Sequence, residues 1–333
     1  MKKAIAICSV IIAAGSVPAM AQQAPATPEP AVFEAGKPLG VTGREDGVYT
    51  PISENVKVFG AVVGAESCSY DAERGVILAV NRGVGQGIQA NDGYVSLINP
   101  DGSVHTSKWI GVNRNGLVLN EPFGSHISEG ILYVADRDGG TADGTPSISV
   151  IRKFDMATGA PVGEIAVPDS AGFNDIEVAA DGTIYASQTG GGRDQLPMRL
   201  YKVTAEGEAS VLLEGAPLVS PNGVGIDNDG NVVVANMGDT AILTFSPTGE
   251  LLGTEHAAQP GSDGIVIMAD GTKYISSVMQ GGVSKISPGQ PAELIATGIP
   301  SAASMCHDSG TNQLVIPMNA NNGLAFIPLA KSS

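Results

Sequence analysis

Ser220-Pro-Asn-Gly-Val-Gly-Ile-Asp-Asn-Asp-Gly-Asn-Val-Val-Val-Ala-Asn236 is the stretch that decides the fold. A Pro-Asn-Gly turn opens it, an alternating apolar segment follows from Val224, and Asp229-Gly230 turns the chain into the β-branched run Val232 to Val234. The pattern predicts two antiparallel strands joined by a hairpin. Asn174 to Ser187 and Asp263 to Ser276 repeat the layout, each with Asp-Gly seven residues after the leading Asn or Asp. Looser copies begin at Glu66, Phe123 and Ala303, so the leading positions are 57, 51, 48, 41 and 40 residues apart. An all-strand repeat of this length predicts a six-bladed β-propeller, each blade a four-stranded sheet around a central channel.

The first 21 residues read as a secretory signal peptide, with basic Lys2-Lys3, an apolar run from Ala4 to Ala14 and the small-x-small site Ala19-Met20-Ala21. That run is too short for a membrane span, so no stable membrane insertion is expected. The expectation is an exported protein, periplasmic in a bacterium with two membranes. Loss of Lys2 and Lys3 takes the formal charge from -16 to -18, which excludes nucleic acid and anionic lipid as partners, since both require a basic footprint. Residues 22–50, rich in Pro and Ala at their start, are expected to be a flexible lead-in, and 51–330 the propeller.

Cys68 and Cys306 remain after cleavage, in the first and last repeats. They are offset by one in the alignment and strand side chains alternate faces, so two buried thiols are favoured over a bridge that would lock the ring. Blades are expected near 64–112, 113–165, 166–215, 216–256, 257–298 and 299–330. Their outer strands are read at Tyr94 to Ile98, Ser147 to Phe154, Met198 to Val203, Ala241 to Phe245 and Gly282 to Ile286. A strand over Pro51 to Val63 is expected to pair beside Gly323 to Leu329 and so close the sixth blade.

In a propeller the first strand of each blade lines the channel, so the heads of the repeats converge. Glu66, Asn174, Asn222 and Asp263 then face a common point, where two carboxylates and two carboxamides demand a cation or ordered water. Their oxygen donors suit Ca2+, with Mg2+ or Mn2+ as alternatives and Zn2+ less favoured. Turn chemistry accounts for Asn-Gly and Asp-Gly separately, but it does not place Glu66 at the head of the first repeat. Phe123 and His126, at and just past the second head, are read as substrate-facing, with Asn174 as a further substrate contact. His105 and His256 read as surface residues and His307 as a packed one. No Gly-x-Ser-x-Gly elbow accompanies them.

These residues resemble the senescence marker protein, gluconolactonase and luciferin-regenerating enzyme superfamily. Ala65-Glu66-Ser-Cys-Ser-Tyr70-Asp71 keeps the family's spacing from Glu to an aromatic-Asp pair, and Asn174-Asp175, Pro221-Asn222-Gly223 and Asp263-Gly264 match its other motifs. The resemblance implies a six-bladed propeller with one divalent cation held by Glu66, Asn222 and Asp263, and with Asn174 as a fourth ligand or substrate contact. It also implies hydrolysis of a small-molecule lactone or ester, with Asp263 taking a proton from water. Two places depart from it. Gly172 stands where the sugar-lactonases carry Arg, and Pro122-Phe123-Gly124 where related paraoxonases have Pro-His-Gly, which argues for a more apolar substrate. The competing reading is a non-enzymatic propeller of the NHL type that binds a protein or glycan, its cation structural.

Overall fold

The computed structural model describes residues 61–83, 91–111, 117–140, 146–191 and 196–330, with the short strands Val41–Gly43 and Tyr49–Pro51. The segment read as a signal peptide lies outside the described residues. Within the stretch expected to be a lead-in, Val41–Gly43 and Tyr49–Pro51 pair antiparallel with each other.

From Ala65 onward the chain forms a six-bladed propeller of antiparallel sheets. Five sheets have four strands, and the sixth has three among the described residues. The innermost strands are Ala65–Asp71, Ser125–Ser128, Ile176–Val178, Pro221–Ile226, Ser262–Ile267 and Cys306–Asp308. Each neighbours the next, and the last neighbours the first, so the ring is closed. The strands read as outermost are the third of each blade. Val104–Gly111, Pro161–Val167, Ala209–Glu214, Leu251–His256 and Glu293–Ala296 lie outside them. Those outer strands are mostly exposed, for example Ala209–Glu214 and Leu251–His256, so they lack the buried apolar run that marks the second strands. Residues 52–60 of the strand expected to close the sixth blade lie outside the described residues. Ala61 and Val62 pack with Val315, Leu324 and Phe326 between blades one and six.

The run Val232–Asn236 is buried throughout because a blade is covered on both faces. Val232 and Val234 pack with Tyr185 and Leu200 of blade three, whereas Val233 and Ala235 pack with Ile265 and Ile275 of blade five. Such a strand alternates between two neighbours rather than between core and water, so it reads as continuously apolar. Each of the six buried clusters fills one interface between neighbouring blades.

Cys68 and Cys306 form a disulfide, with a Cα–Cα distance of 5.4 Å and a sequence separation of 238. This overturns the expectation of two free thiols, and the reason is geometric. Equivalent positions in neighbouring blades point the same way round the ring, so side chains meet across an interface only when they are offset by an odd number. The offset that argued against the bridge is the one that permits it.

Candidate functional site

The head of each repeat is a place where the inner strand slips by one residue against the second. The register shifts between Ala65 and Ser67, between Pro221 and Val224, and between Ser262 and Ile265. In blade two Phe123 N–H donates to Ala135 O while Ala135 N–H donates to Gly124 O, and Asn174, Asp175 and Ser187 repeat the arrangement in blade three. A bulge of this kind turns a side chain out of the regular alternation, and here it recurs where the channel begins.

Hydrogen bonds from one blade to the next tie the heads into a ring. Ser67 Oγ donates to Phe123 O (2.6 Å), Gly124 N–H to Asn174 O (2.7 Å), Ser187 Oγ to Asn222 O, Ser276 Oγ to Ala303 O (2.8 Å) and Ser304 N–H to Glu66 O (3.0 Å). Between the fourth and fifth heads the link is a side-chain one, from Asn222 Nδ2 to Asp263 Oδ2, and the chains pass too closely for a side chain. A Cβ on Gly223 would lie 2.3 Å from Asp263 O, and one on Gly124 would lie 2.1 Å from Asp175 Oδ1. Glycine follows these heads because no side chain fits between them.

A second repeating device holds the heads in place. In five of the blades a polar residue at or near the end of the second strand catches the chain three residues before the head. Asn81 Oδ1 accepts from Val63 N–H, Asp136 from Asn120 N–H, Gln188 Oε1 from Ala171 N–H and Asn236 Oδ1 from Val219 N–H, and Ser277 Oγ donates to Pro260 O. All five are buried. Each stands where the apolar run of a second strand gives way to polar residues, a signal that attention to the heads alone passes over.

Glu66, Asn222 and Asp263 are almost wholly buried. Asn222 Nδ2 donates to Asp263 Oδ2 at 3.2 Å, and Asn174 Nδ2 donates to Thr189 Oγ1 at 3.0 Å. That leaves Glu66 Oε2, Asn174 Oδ1, Asn222 Oδ1 and Asp263 Oδ1, each buried and each without a hydrogen-bond partner. Four orphaned acceptors on heads of one ring are costly unless a positive charge or donor satisfies them. Among the described residues no three His, Cys, Asp and Glu side chains group as a metal site; half of this donor set is carboxamide. All-oxygen donors of this composition fit a hard cation.

The electrostatics agree. Burial, and then the neighbouring Asp263, push the Glu66 carboxyl well above the usual range, against the pull of Arg82. Burial and Asp175 push Asp263 up to about 8, opposed by the Asn222 hydrogen bond and by Arg82. Asp175 is pushed up to about 7 by burial, although it accepts from Val224 N–H and Ile176 N–H. Two interacting carboxylates out of water hold on to protons.

His126 is elsewhere. With Ser69, Asp175, Glu177 and His307 it lines a channel cavity of 270 Å³ built from residues further along the inner strands than the heads. Its Nδ1 lies 2.9 Å from Glu177 Oε2. Burial lowers its pKa, but the Glu177 carboxylate outweighs that and the net shift is upward. Phe123 does head blade two, yet its ring is not an apolar wall. The Arg82 guanidinium lies 4.3 Å from the ring centroid and that of Arg137 5.5 Å. His105 and His256 are exposed, with ring nitrogens beside Thr106 and Thr240, and His307 Nε2 lies 3.0 Å from Asn312 Oδ1.

A closed six-bladed ring with bulged, oxygen-bearing strand heads defines the class: a six-bladed β-propeller. The model of the SMP-30/gluconolactonase/LRE-like region matches residues 65–316, and the chain belongs to that family. No curated protein matches it. A gluconolactonase from Xanthomonas campestris is similar in structure at 17% identity and a TM-score of 0.57, over 90% of this chain and 98% of that one. A protein of unknown function from Bacteroides thetaiotaomicron is similar at 13% identity and a TM-score of 0.54, over 79% and 70%. A catalytically inactive variant of virginiamycin B lyase from Staphylococcus aureus is similar at 13% and 0.53, over 87% of each chain. At such identities the likeness to these structures is one of fold.

Proposed function

We propose that the protein is an exported, cation-dependent hydrolase of small-molecule lactones or related esters. The family supports lactone hydrolysis, and the observation that carries the cation is the set of four orphaned buried oxygens on Glu66, Asn174, Asn222 and Asp263. Those residues would hold one divalent ion, with Ca2+ the best match to two carboxylates and two carboxamides. Once bound, the ion would polarise the substrate carbonyl and make water easier to deprotonate.

The chain's own residues supply the rest. Asn222 anchors Asp263 through Oδ2 and leaves Oδ1 turned to the site. From there its carboxylate is placed to accept the proton that water gives up as it attacks the carbonyl carbon. Asn174, held by Thr189, presents its amide oxygen to the ion or to a substrate hydroxyl. Burial at the head ring keeps bulk water from competing.

Export is supported by the sequence of the first 21 residues and by the Cys68–Cys306 bridge, since disulfides persist mainly in oxidising compartments. The test is chelation with two readouts. The account expects EDTA to lower thermal stability and to abolish turnover of a panel of lactones and aryl esters, and Asp263→Ala to abolish turnover while retaining the fold. Should chelation and Asp263→Ala alter stability alone, with no panel member hydrolysed, the protein is a binding propeller with a structural ion.

A further inference from the structure

The second strands run antiparallel to the inner ones, so the residues at and just after their ends lie at the level of the heads. In blades three and four Thr189 and Met237 hold the Asn174 and Asn222 amides. In blades one and two the corresponding residues are Arg82 and Arg137, and both pair with one carboxylate. Arg82 Nη2 meets Glu121 Oε1, Arg137 Nη2 meets Glu121 Oε2, and Glu121 is only 1% exposed. Both guanidiniums lie over Phe123, and Arg137 Nη1 is 3.9 Å from the point a Cβ on Gly172 would occupy, two residues before Asn174.

Two cations on one buried carboxylate leave one positive charge in excess. In a chain with 18 Lys and Arg against 34 Asp and Glu, that arrangement is expensive if its purpose is only to neutralise Glu121. The Arg82 Nε is buried with no hydrogen-bond partner. The side chains remain 17% and 26% exposed, so each offers an edge to the solvent at the channel mouth.

We propose that Arg82 and Arg137, set by Glu121 and Phe123, form a carboxylate-binding subsite, and that the preferred substrate is a lactone or ester bearing a carboxylate. Two guanidiniums match two carboxylate oxygens, and one surplus charge matches a monoanion. A dianionic phosphate would instead leave net negative charge beside Glu66 and Asp263. The proposal rests on the hydrolase reading for the word substrate, but the subsite can be tested without turnover.

Hexanoate and hexanamide, which differ only in the carboxylate, serve as binding probes in calorimetry on the full-length protein. Carboxylate-bearing and neutral members of the lactone and ester panel provide the kinetic comparison. The expected result is that hexanoate binds and hexanamide does not, that Arg137→Gln weakens hexanoate by about 10- to 100-fold, and that Arg137→Lys recovers part of the loss. The ratio of kcat/KM for charged over neutral substrates should fall in Arg137→Gln by a similar factor, mainly through KM. Hexanoate binding that depends on Arg137, with no panel member hydrolysed, would uphold the subsite and remove the hydrolase reading. Hydrolysis with no preference for the carboxylate, together with equal or absent binding of the two probes, would overturn the subsite and leave the hydrolase intact.

Discussion

Replacing Asp263 by Asn should make the metal-free protein more stable and the metal-loaded protein less so. The unfolded carboxyl titrates near 3.8, while in the folded, cation-free protein burial and Asp175 hold it at about 8. At pH 7 the folded state therefore keeps a proton that the unfolded state has lost. The difference of roughly three pH units costs about 4 kcal/mol at most. The sign follows from proton binding. The penalty is absent below pH 4, where both states are protonated, grows as the pH rises through the window from about 4 to about 8, and is constant above it. An Asn at 263 escapes it, though it fits the Asn222 hydrogen bond less well, so a gain of about 2 to 4 kcal/mol, or roughly 4–8 °C in Tm, is expected in EDTA at pH 7. The same change removes a charged ligand, so the rise in Tm produced by Ca2+ in the wild type should largely vanish. Differential scanning fluorimetry from pH 4 to 9, with EDTA and with Ca2+, measures both effects. A variant that melts lower than wild type in EDTA, or that keeps the full response to Ca2+, would refute the reasoning.

Other outcomes follow from the same geometry. Reducing the Cys68–Cys306 bridge, or changing Cys68→Ser, should lower unfolding stability by up to about 5 kcal/mol, because the closed loop spans 238 residues; chemical denaturation with and without reductant measures it. Gly223→Ala would place a methyl 2.3 Å from Asp263 O and should cost more than about 3 kcal/mol or prevent folding, while Gly230→Ala, with nothing within 4 Å but φ of +82°, should cost only about 1 kcal/mol. Asn236→Ala releases the Val219 N–H three residues before Asn222, with an expected loss of about 1 to 3 kcal/mol and weaker Ca2+ binding by calorimetry. In the channel cavity, Glu177→Gln should lower the His126 pKa, read by NMR titration of its ring.

The propeller was legible because its inner two strands carry a signal that local chemistry enforces: a turn at the head, Asp-Gly at the hairpin tip and an apolar run sandwiched between two neighbours. Val232, Val233 and Val234 show why the run has no gaps. The outermost strands escaped notice because Ala209–Glu214 and Leu251–His256 face solvent over most of their length, so they need only pair their backbones and their composition is free to drift. The heads could be picked out by aligning the repeats, but their partners could not. Arg82 comes from the first repeat and Arg137 from the far end of a strand in the second, and only the antiparallel return of the second strands brings them to Glu121 and Phe123. Phe123 itself shows the limit of reading residues singly, since an aromatic at a channel mouth suggests an apolar wall until the cations stacked on it are seen. The disulfide shows the same limit for pairs. Alternation within one sheet was the wrong rule for two side chains that meet between sheets.

A crystal structure of the protein grown with Ca2+ tests the central claim most directly, through anomalous scattering at the axis. The account predicts one ion, with a side-chain oxygen from each of Glu66, Asn174, Asn222 and Asp263 at about 2.3–2.6 Å. An ion bound away from those residues, or water-filled density among the four oxygens at saturating Ca2+, would contradict it.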